Sequence, residues 1–317
     1  MLDSHNRNIT YMRLSVTDLC NLRCKYCMPE NGICKKNHDE MLTEEEMIQA
    51  IEVAADLGVK KLRITGGEPL VKRNIISICK RAHNTKGIEK IAITTNGLLL
   101  PTLGKELKDA GVEYINISLD TLNPDKYHDI TRIGNLDEAL SGIKAALAIG
   151  FKKVKINAVL IKGFNDDEIR ELAELTLKYP LDVRFIELMP MVDDRMQQEN
   201  GYISNNIVLE KLPELQEIEN EPGSPSKLYR LPNALGNVGL ISPISSCFCA
   251  ECNRIRLTAD GKIKPCLHSS DEIRIKGLDK AEMKAAFEKA ILNKPEAHSI
   301  LSSNMSGSGR SMNQIGG

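Results

Sequence analysis

Residues 12–27 read M-R-L-S-V-T-D-L-C-N-L-R-C-K-Y-C and join a strand-like run to three closely spaced cysteines. In that run the apolar Leu14 and Val16 alternate with the polar Arg13 and Ser15. A period of two predicts a β-strand with one apolar and one polar face. The cysteines therefore follow directly after the end of a strand.

The same unit recurs as far as residue 189. Each alternating run is followed by a turn and by an apolar segment of helical period. Thr43 and Glu46 have the spacing of a capping box, Gly58 ends that helix, and Asn165 with Glu168 predicts a second helix start. Alternating β and α units predict a parallel sheet, either doubly wound or a barrel. The other strand-like runs are residues 61–65, 90–96, 113–120, 153–159 and 183–188.

The polar faces of these runs favour a barrel. Parallel strands that are covered on both faces read as nearly unbroken apolar runs, but here Arg63 and Lys155 stand on polar faces. Because a protein core does not tolerate unpaired charges, these faces are predicted to line a lumen for a polar, anionic ligand. Six units are two short of a closed barrel. We expect an α/β fold with an incomplete (β/α)6 barrel in residues 1–189, and we expect residues 190–317 to help close the gap.

Residues 190–317 lose this rhythm. Prolines and glycines crowd residues 219–246, and N-E-P-G-S-P-S at residues 220–226 predicts a loop. A helix is expected near residues 279–293. The end of the chain is rich in serine and glycine and has the composition of a disordered tail.

The composition excludes several classes of protein. The 317 residues include 42 Lys and Arg against 43 Asp and Glu, a net charge of −1, whereas a protein that coats nucleic acid is normally basic. No apolar run approaches the ~18 residues that cross a bilayer, and the N-terminus lacks the apolar stretch of a secretory signal. We expect a soluble, cytoplasmic protein with neither nucleic acid nor a membrane as partner.

The nine cysteines are unusual in number and in grouping. Their count is odd and no export signal precedes them, so disulfides are the weaker alternative. Cytosolic thiols in tight groups usually hold metal. Cys79 stands alone in an apolar helix and is expected in the core. The others are Cys20, Cys24, Cys27 and Cys34, followed by Cys247, Cys249, Cys252 and Cys266.

The first group, C-N-L-R-C-K-Y-C at 20–27, lies at the C-terminal mouth of the predicted barrel, where barrel enzymes keep their chemistry. Thiolates this close suit zinc or an iron–sulfur cluster. Zinc needs a fourth ligand, for which Cys34 and His38 are available. A cluster on three cysteines leaves one iron open for a substrate or cofactor. Arg23 and Lys25 lie between the cysteines and are expected to be solvated.

This spacing, with Tyr26 before the last cysteine, resembles that of the radical S-adenosylmethionine superfamily. T-G-G-E-P at 65–69 follows the second strand, as the family's binding segment for the methionine amino group does. The resemblance implies a [4Fe–4S] cluster that cleaves S-adenosylmethionine to a 5′-deoxyadenosyl radical. It implies Cys20, Cys24 and Cys27 as cluster ligands, and Tyr26, Gly67, Ser118 and Met189 as contacts of S-adenosylmethionine.

The second group, C-F-C-A-E-C-N-R-I-R at 247–256 followed by Cys266, is by spacing alone an ordinary zinc pattern. Together with the first motif it resembles the GTP 3′,8-cyclases of molybdenum-cofactor biosynthesis, and the match runs from Arg13 to the final Gly317. The resemblance implies a second [4Fe–4S] cluster, whose open iron meets the guanine base. Cys247 is an extra thiol beside the pattern. The implied ligands of the second cluster are Cys249, Cys252 and Cys266.

The resemblance also implies a substrate and a reaction. The radical takes the hydrogen from C3′ of GTP, the C3′ radical attacks C8 of guanine, and one electron and one proton complete 3′,8-cyclo-7,8-dihydro-GTP. Arg256 and a water molecule are the candidates for delivering that proton, and the terminal Gly316 and Gly317 are expected in the active site. His268, close to a cluster cysteine, is expected at the surface or as a helix cap. The implied GTP contacts are Arg13, Arg63, Thr94, Lys155, Arg254 and Arg256.

The resemblance also implies partners, while two alternatives stay open. The reaction needs an external electron donor, its product passes to a cyclic pyranopterin monophosphate synthase, and a homodimer is the expected assembly. A radical S-adenosylmethionine enzyme that modifies a peptide stays open as an alternative. So does a zinc-stabilised interaction protein without enzymatic activity.

Overall fold

The computed structural model describes residues 1–33, 37–191, 201–220, 223–298, 300 and 305–316. Its centre is a single 12-stranded sheet. Six parallel strands form the middle of that sheet in chain order, and helices connect them. These strands are β1 (Tyr11–Ser15), β2 (Lys61–Thr65), β3 (Lys90–Thr95), β4 (Tyr114–Ser118), β5 (Lys153–Leu160) and β6 (Leu181–Glu187).

The remaining strands extend the sheet at both edges, in the order β12-β11-β10-β1-β2-β3-β4-β5-β6-β9-β8-β7. Because β12 and β7 are edge strands, the incomplete barrel is confirmed. The prediction that residues 190–317 help close the gap is wrong for the described residues, because their strands add to the two edges of the sheet and β12 and β7 do not pair with each other. The division after residue 189 stays a prediction, since strands from both sides share this sheet. The added strands are β7 (Gln216–Ile218), β8 (Lys227–Arg230), β9 (Val238–Ile241), β10 (Arg254–Leu257), β11 (Lys262–Lys264) and β12 (Ile273–Arg274).

The two faces of the central strands differ as the alternation predicts. Leu14, Ile64 and Ile93 are fully buried in one apolar cluster that includes Ile51 of the first helix. Burial of each such side chain contributes about 1.5–3 kcal/mol. The opposite face carries arginines and lysines and lines the lumen.

Helices cover the apolar face and connect the strands. No helix among the described residues is both long and apolar enough to cross a membrane. The described helices are α1 (Glu44–Asp56), α2 (Ile75–His83), α3 (Leu100–Asp109), α4 (Pro124–Thr131), α5 (Leu136–Ile149), α6 (Ile169–Ala173), α7 (Leu175–Lys178), α8 (Asn206–Lys211), α9 (Lys280–Leu292) and α10 (Met312–Ile315).

Of the two predicted helix starts, the first is confirmed and the second is wrong. Thr43 and Glu46 form the predicted capping box at the start of α1. Asn165 caps no helix, because its buried side chain donates to the carbonyl oxygens of Asp120 and Val159 and accepts from the N–H of Ile161. It ties together the loops that follow β4 and β5, so α6 begins only after Glu168.

The loop predicted at residues 220–226 is confirmed where the structure describes it, because residues 220 and 223–226 belong to no helix or strand. The strands β8 and β9 follow this loop, and the edge of β6 supplies the backbone hydrogen-bond partners that such short runs lack on their own. The helix expected near residues 279–293 is confirmed as α9. It begins with a capping box between Asp279 and Glu282.

The tail over residues 305–316 is ordered, contrary to the prediction from its composition. Arg310 binds Asp260 and Glu272 through four N–H···O contacts of 2.5–3.1 Å. Ile315 in α10 is only 1% exposed. Paired charges and a buried apolar side chain therefore hold the tail against the sheet.

Candidate active site

A cavity of about 930 Å³ fills the lumen of the partial barrel. This volume is near the upper end for small-molecule sites and gives room for two ligands. Both cysteine groups and both classes of predicted ligand contact line it. The predicted site residues that line the cavity are Arg13, Cys20, Cys24, Tyr26, Cys27, Arg63, Gly67, Thr94, Ser118, Lys155, Met189, Cys249, Cys252, Arg254, Arg256 and Cys266.

The loop after β1 presents the first three cysteines to this cavity. The backbone N–H groups of Cys27 and Met28 donate to the carbonyl oxygen of Cys24 at 2.9 and 3.1 Å, which forms a tight turn. Arg23 Nη1 donates to the carbonyl oxygen of Cys20 at 2.7 Å. Arg23 is half-buried, so its predicted solvation is confirmed in part, while its guanidinium bonds the loop backbone.

The T-G-G-E-P segment packs directly on the backbone that precedes the first cysteine. The N–H of Gly67 donates to the carbonyl oxygen of Thr17 at 2.7 Å. A Cβ added at Gly67 would overlap the carbonyl oxygen of Leu19 and lie 2.7 Å from that of Asp18. Only glycine permits this contact, so the two motifs are held together by their main chains.

Tyr26 links the cysteine loop to the next part of the barrel. Its phenolic hydroxyl donates to Asp120 Oδ2 at 2.7 Å. Burial and the charge of Asp120 raise the pKa of Tyr26 well above its usual range, so the phenol keeps the donated hydrogen. Ser118 at the end of β4 and Met189 after β6 are half-buried at the same cavity.

The distances between the cysteine sulfurs indicate whether each group suits a single zinc ion or an iron–sulfur cluster. Ligands of a single ion have their donor atoms within 4.8 Å of one another. Among the described residues, the sulfurs of the first triad (Cys20, Cys24 and Cys27) do not all lie that close together, and neither do those of the second (Cys249, Cys252 and Cys266). A cluster binds its cysteines through different iron atoms, which tolerates a wider spread of sulfurs. Both donor sets therefore fit an iron–sulfur cluster better than a single zinc ion.

The second cysteine group forms a short turn beside a cationic side chain. The N–H of Cys252 donates to the carbonyl oxygen of Cys249 at 3.1 Å, and Arg254 Nε and Nη2 both lie 3.4 Å from Cys252 Sγ. Burial raises the pKa of Cys252, but the charges of Arg254 and Lys294 outweigh it and lower that pKa to about 6. The thiolate, which is the form that binds metal, therefore dominates at neutral pH.

Three arginines form one row across adjacent strands. Arg256 on β10 and Arg63 on β2 are both register partners of Arg13 on β1, and neighbouring strands lie about 4.7–4.9 Å apart. Burial first, and then repulsion within the row, lower the pKa of Arg13 and Arg256. Because a guanidinium stays protonated in proteins, the row remains charged, and a bound anion would relieve the repulsion.

Tyr11 lies next to this row and between two further cations. Its register partners are Arg254 and Lys61, and its phenolic oxygen accepts a hydrogen bond from Arg63 Nε. Burial raises the pKa of Tyr11, but Arg63, Arg13 and Lys61 outweigh it and lower that pKa to about 6. The sequence reasoning missed both Tyr11 and Lys61, although Lys61 begins one of the alternating runs.

The far wall of the lumen is also cationic. Lys155 Nζ lies 3.7 Å from Asp182 Oδ2, and burial together with the charge of Arg184 lowers the pKa of Lys155 to about 7. Arg184, on a polar position of β6, was not predicted, and the alternation of its strand was the signal for it. Four buried lumen atoms have no hydrogen-bond partner among the described residues: Arg13 Nε, Arg184 Nε, Asn116 Oδ1 and Asn157 Oδ1. An unpaired buried group costs about 1–3 kcal/mol, so the lumen is suited to a polar ligand.

The C-terminal tail enters the lumen at Gly316. Arg256 Nη1 donates to the carbonyl oxygen of Gly316 at 2.6 Å. Gly316 has a φ of 87°, and a Cβ there would overlap Thr65 Oγ1 and lie 3.3 Å from Ser15 Cβ. Glycine is required both for this backbone conformation and for this close approach. The structure thus brings the tail to the arginine row.

The structure corrects one further prediction and confirms another. His268 is 3% exposed, and its ring packs edge-on against His298 with centroids 5.2 Å apart. The surface role predicted for His268 is wrong, because the segment around His298 and the tail residue Ser306 cover it. Cys79 is fully buried, as predicted. Cys34, Gly317 and the side chain of His38 lie outside the described residues.

Known families and structures match both halves of the chain. The model of the Radical SAM superfamily matches residues 14–176, and the model Molybdenum Cofactor Synthesis C matches residues 181–300. SuiB of Streptococcus suis bound to S-adenosylmethionine superposes with a TM-score of 0.65, covering 94% of this chain and 69% of that chain. At 17% identity, this likeness shows the fold alone.

Curated relatives match the whole chain. A GTP 3′,8-cyclase of Alkaliphilus oremlandii and one of Alkaliphilus metalliredigens are each 50% identical, over 100% of this chain and of those proteins. A GTP 3′,8-cyclase of Peptoclostridium acidaminophilum is 49% identical over 95% of this chain and 94% of that protein. The chain belongs to the radical S-adenosylmethionine superfamily and, within it, to the family of the GTP 3′,8-cyclases.

Proposed function

We propose that the chain is a lyase that converts GTP to (8S)-3′,8-cyclo-7,8-dihydroguanosine 5′-triphosphate, the first step of molybdenum-cofactor biosynthesis. One observation carries the proposal: both cysteine groups and the arginine row line a single cavity. That arrangement brings a radical source, a second metal centre and a site for a triphosphate to one substrate. The full-length match to the cyclase family supports the same reaction.

Two [4Fe–4S] clusters and S-adenosylmethionine are the cofactors. When bound, S-adenosylmethionine and the reduced first cluster supply the 5′-deoxyadenosyl radical. Cys20, Cys24 and Cys27 would hold that cluster. The packing of Gly67 on the cysteine loop supports a shared site, because it keeps the proposed cofactor contacts beside the cluster ligands. The proposed contacts of S-adenosylmethionine are Tyr26, Gly67, Ser118 and Met189.

The second cysteine group would bind the auxiliary cluster near the guanine base. Cys249, Cys252 and Cys266 are its proposed ligands. The guanidinium of Arg254 favours the thiolate of Cys252, which supports this assignment. Arg254 can at the same time reach a ligand in the lumen, since it lines the cavity.

The cationic row would bind the triphosphate. Arg13, Arg63 and Arg256 offer adjacent guanidinium forks, each of which matches two phosphate oxygens. Arg63 Nη1 also donates to Thr94 Oγ1 at 3.2 Å, which orients both side chains toward the lumen. Lys155 on the far wall of the lumen is a further proposed contact. The further proposed contacts are Arg254, Arg184 and Lys61.

The tail would complete the catalytic site, with Arg256, Gly316 and Gly317 as the catalytic residues. The hydrogen bond from Arg256 to Gly316 supports a tail that shields the reacting ribose from water. Arg256 and a water molecule are the candidates for delivering the last proton. Because a guanidinium rarely gives up its proton, a water molecule bound by Arg256 is the better candidate.

The reaction has consequences for the partners of the protein. The cyclised radical must take up one electron, so an external electron donor is required. A cyclic pyranopterin monophosphate synthase would receive the product. The homodimer and the cytoplasmic location stay predictions.

An anaerobic reaction tests the proposal. The chain, reconstituted with iron and sulfide, is incubated with GTP, S-adenosylmethionine and a reductant, and both products are identified by mass. The proposal predicts 5′-deoxyadenosine together with a cyclised product that is an isomer of GTP. Its mass equals that of GTP, because the hydrogen atom lost to 5′-deoxyadenosine is replaced by the electron and the proton that the product takes up. Cleavage of S-adenosylmethionine without any isomer of GTP would favour the peptide-modifying alternative, and zinc in place of iron would favour the interaction protein.

A further inference from the structure

Three metal-binding side chains converge at the rim of the cavity in an arrangement that the cyclase reaction does not use. The ligand atoms of Cys247, Cys249 and His298 all lie within 4.8 Å of one another. Among the described residues, this is the one group of three or more histidine, cysteine or carboxylate side chains with that spacing. Cys247 is exposed and is the thiol that lies outside the cluster motif.

His298 has the tautomer that a metal ligand needs. Its Nε2 lies 2.9 Å from the carbonyl oxygen of Pro243, which can only accept, so Nε2 carries the hydrogen and Nδ1 carries a lone pair. Nδ1 is buried without a hydrogen-bond partner among the described residues, and His298 is 7% exposed. A carbonyl that fixes the ring in this way is the usual outer shell of a metal-bound imidazole.

Arg7 holds together the two segments that carry these ligands. Its Nη1 donates to the carbonyl oxygen of Cys249 at 2.9 Å and to that of Glu296 at 3.0 Å. Its Nε binds Asp3 at 2.6 Å, which fixes the guanidinium. The approach of His298 to the cysteine pair is therefore set by the fold before any ion binds.

We propose that Cys247, Cys249 and His298 bind one zinc ion when the auxiliary cluster is absent. Two thiolates and one imidazole leave the fourth tetrahedral position to water, a donor set that suits zinc. Because Cys249 is also a proposed cluster ligand, zinc and the auxiliary cluster exclude each other. Zinc at this rim would block assembly of the cluster until it is removed.

The test is a cobalt titration of the cluster-free, full-length chain, in which the three cysteines of the first motif are serine. Cobalt alone is the probe, because its visible absorption reports tetrahedral thiolate ligation. One tight site is expected, from which zinc displaces cobalt. Since loss of even an outer-shell partner costs about 10- to 100-fold in affinity, Cys247→Ser is expected to weaken binding by at least about 100-fold. Cys247 is exposed, so this variant should fold, which circular dichroism checks.

Cys266→Ser is the matched control, because it removes a proposed cluster ligand but none of these three residues. Unchanged cobalt affinity in Cys266→Ser together with the loss in Cys247→Ser supports the site. Tight binding that survives Cys247→Ser, or that is lost in Cys266→Ser, would overturn it. The titration contains neither GTP nor S-adenosylmethionine, so its outcome is independent of the proposed cyclase reaction.

A second measurement tests the exclusion between zinc and the cluster. Chains with and without bound zinc are reconstituted with iron and sulfide, and the iron content is compared. Zinc is expected to lower iron uptake in the native chain but not in Cys247→Ser. Equal uptake in the zinc-loaded and zinc-free native chains would contradict the shared use of Cys249.

Discussion

Replacement of Gly316 with Ala is expected to displace the tail while the rest of the site stays intact. A φ of 87° is unfavourable for alanine, and such a strained conformation costs about 1–3 kcal/mol. The new Cβ would also overlap Thr65 Oγ1, and Thr65 is only 1% exposed and has little room to move. Because 1.4 kcal/mol is a factor of ten, the backbone strain alone lowers the equilibrium constant for docking of the tail by about 5- to 150-fold.

The assay measures cyclised product and 5′-deoxyadenosine in one anaerobic reaction, with iron content and GTP affinity determined on the same preparation. Product formation should fall with the docked population, by up to about 150-fold, whereas iron content should not change. Gly309→Ala is the matched control, because nothing lies within 4 Å of a Cβ at that position of the same tail. Near-native product formation by Gly316→Ala, or equal losses in both variants, would refute the role of the tail.

The remaining predictions concern the clusters, the phosphate site and its pH dependence. Cys24→Ala should abolish formation of 5′-deoxyadenosine, whereas Cys266→Ala should leave some cleavage without cyclisation; equal loss of cleavage in two folded variants would contradict separate roles. Arg63→Ala should weaken GTP binding by about tenfold to a hundredfold, since a charged hydrogen bond contributes about 1.5–3 kcal/mol, and unchanged affinity by calorimetry would remove Arg63 from the site. With a pKa of about 6 for Tyr11 and about 7 for Lys155, the lumen loses positive charge as pH rises, so GTP affinity should fall between about pH 5 and 8. Tyr11→Phe should lessen that fall at the lower end of the pH range. The titration of GTP itself affects the native chain and the variant equally, so parallel curves of GTP affinity against pH would contradict ionisation of Tyr11 in this range.

The central strands could be predicted from the sequence because one face packs in the apolar core and the other lines the polar lumen. Leu62 and Ile64 pack in the core while Arg63 between them faces the lumen, and a period of two records that difference directly. The same alternation carries Lys61 and Arg184, so these two cations were within reach of the sequence reasoning. All these positions could be predicted because the alternation along a regular strand depends only on neighbouring residues in the sequence.

Contacts between distant segments could not be predicted in this way. Asn165 has the spacing of a helix cap, but its side chain bonds loop backbone that is remote in sequence. The burial of His268 depends on His298 and Ser306, about 30 and 38 residues further along the chain. Likewise, Arg310 orders a tail whose own composition is that of a disordered segment.

The most direct test of the proposed cyclase reaction uses GTP deuterated at C3′. We expect 5′-deoxyadenosine to acquire the deuterium, the cyclised product to lose it, and the two to form in equal amounts. These results would place the radical source and the ribose of GTP in the one cavity that both cysteine groups line. Formation of 5′-deoxyadenosine without deuterium, in the presence of GTP and with both clusters in place, would contradict abstraction of hydrogen from C3′ of GTP.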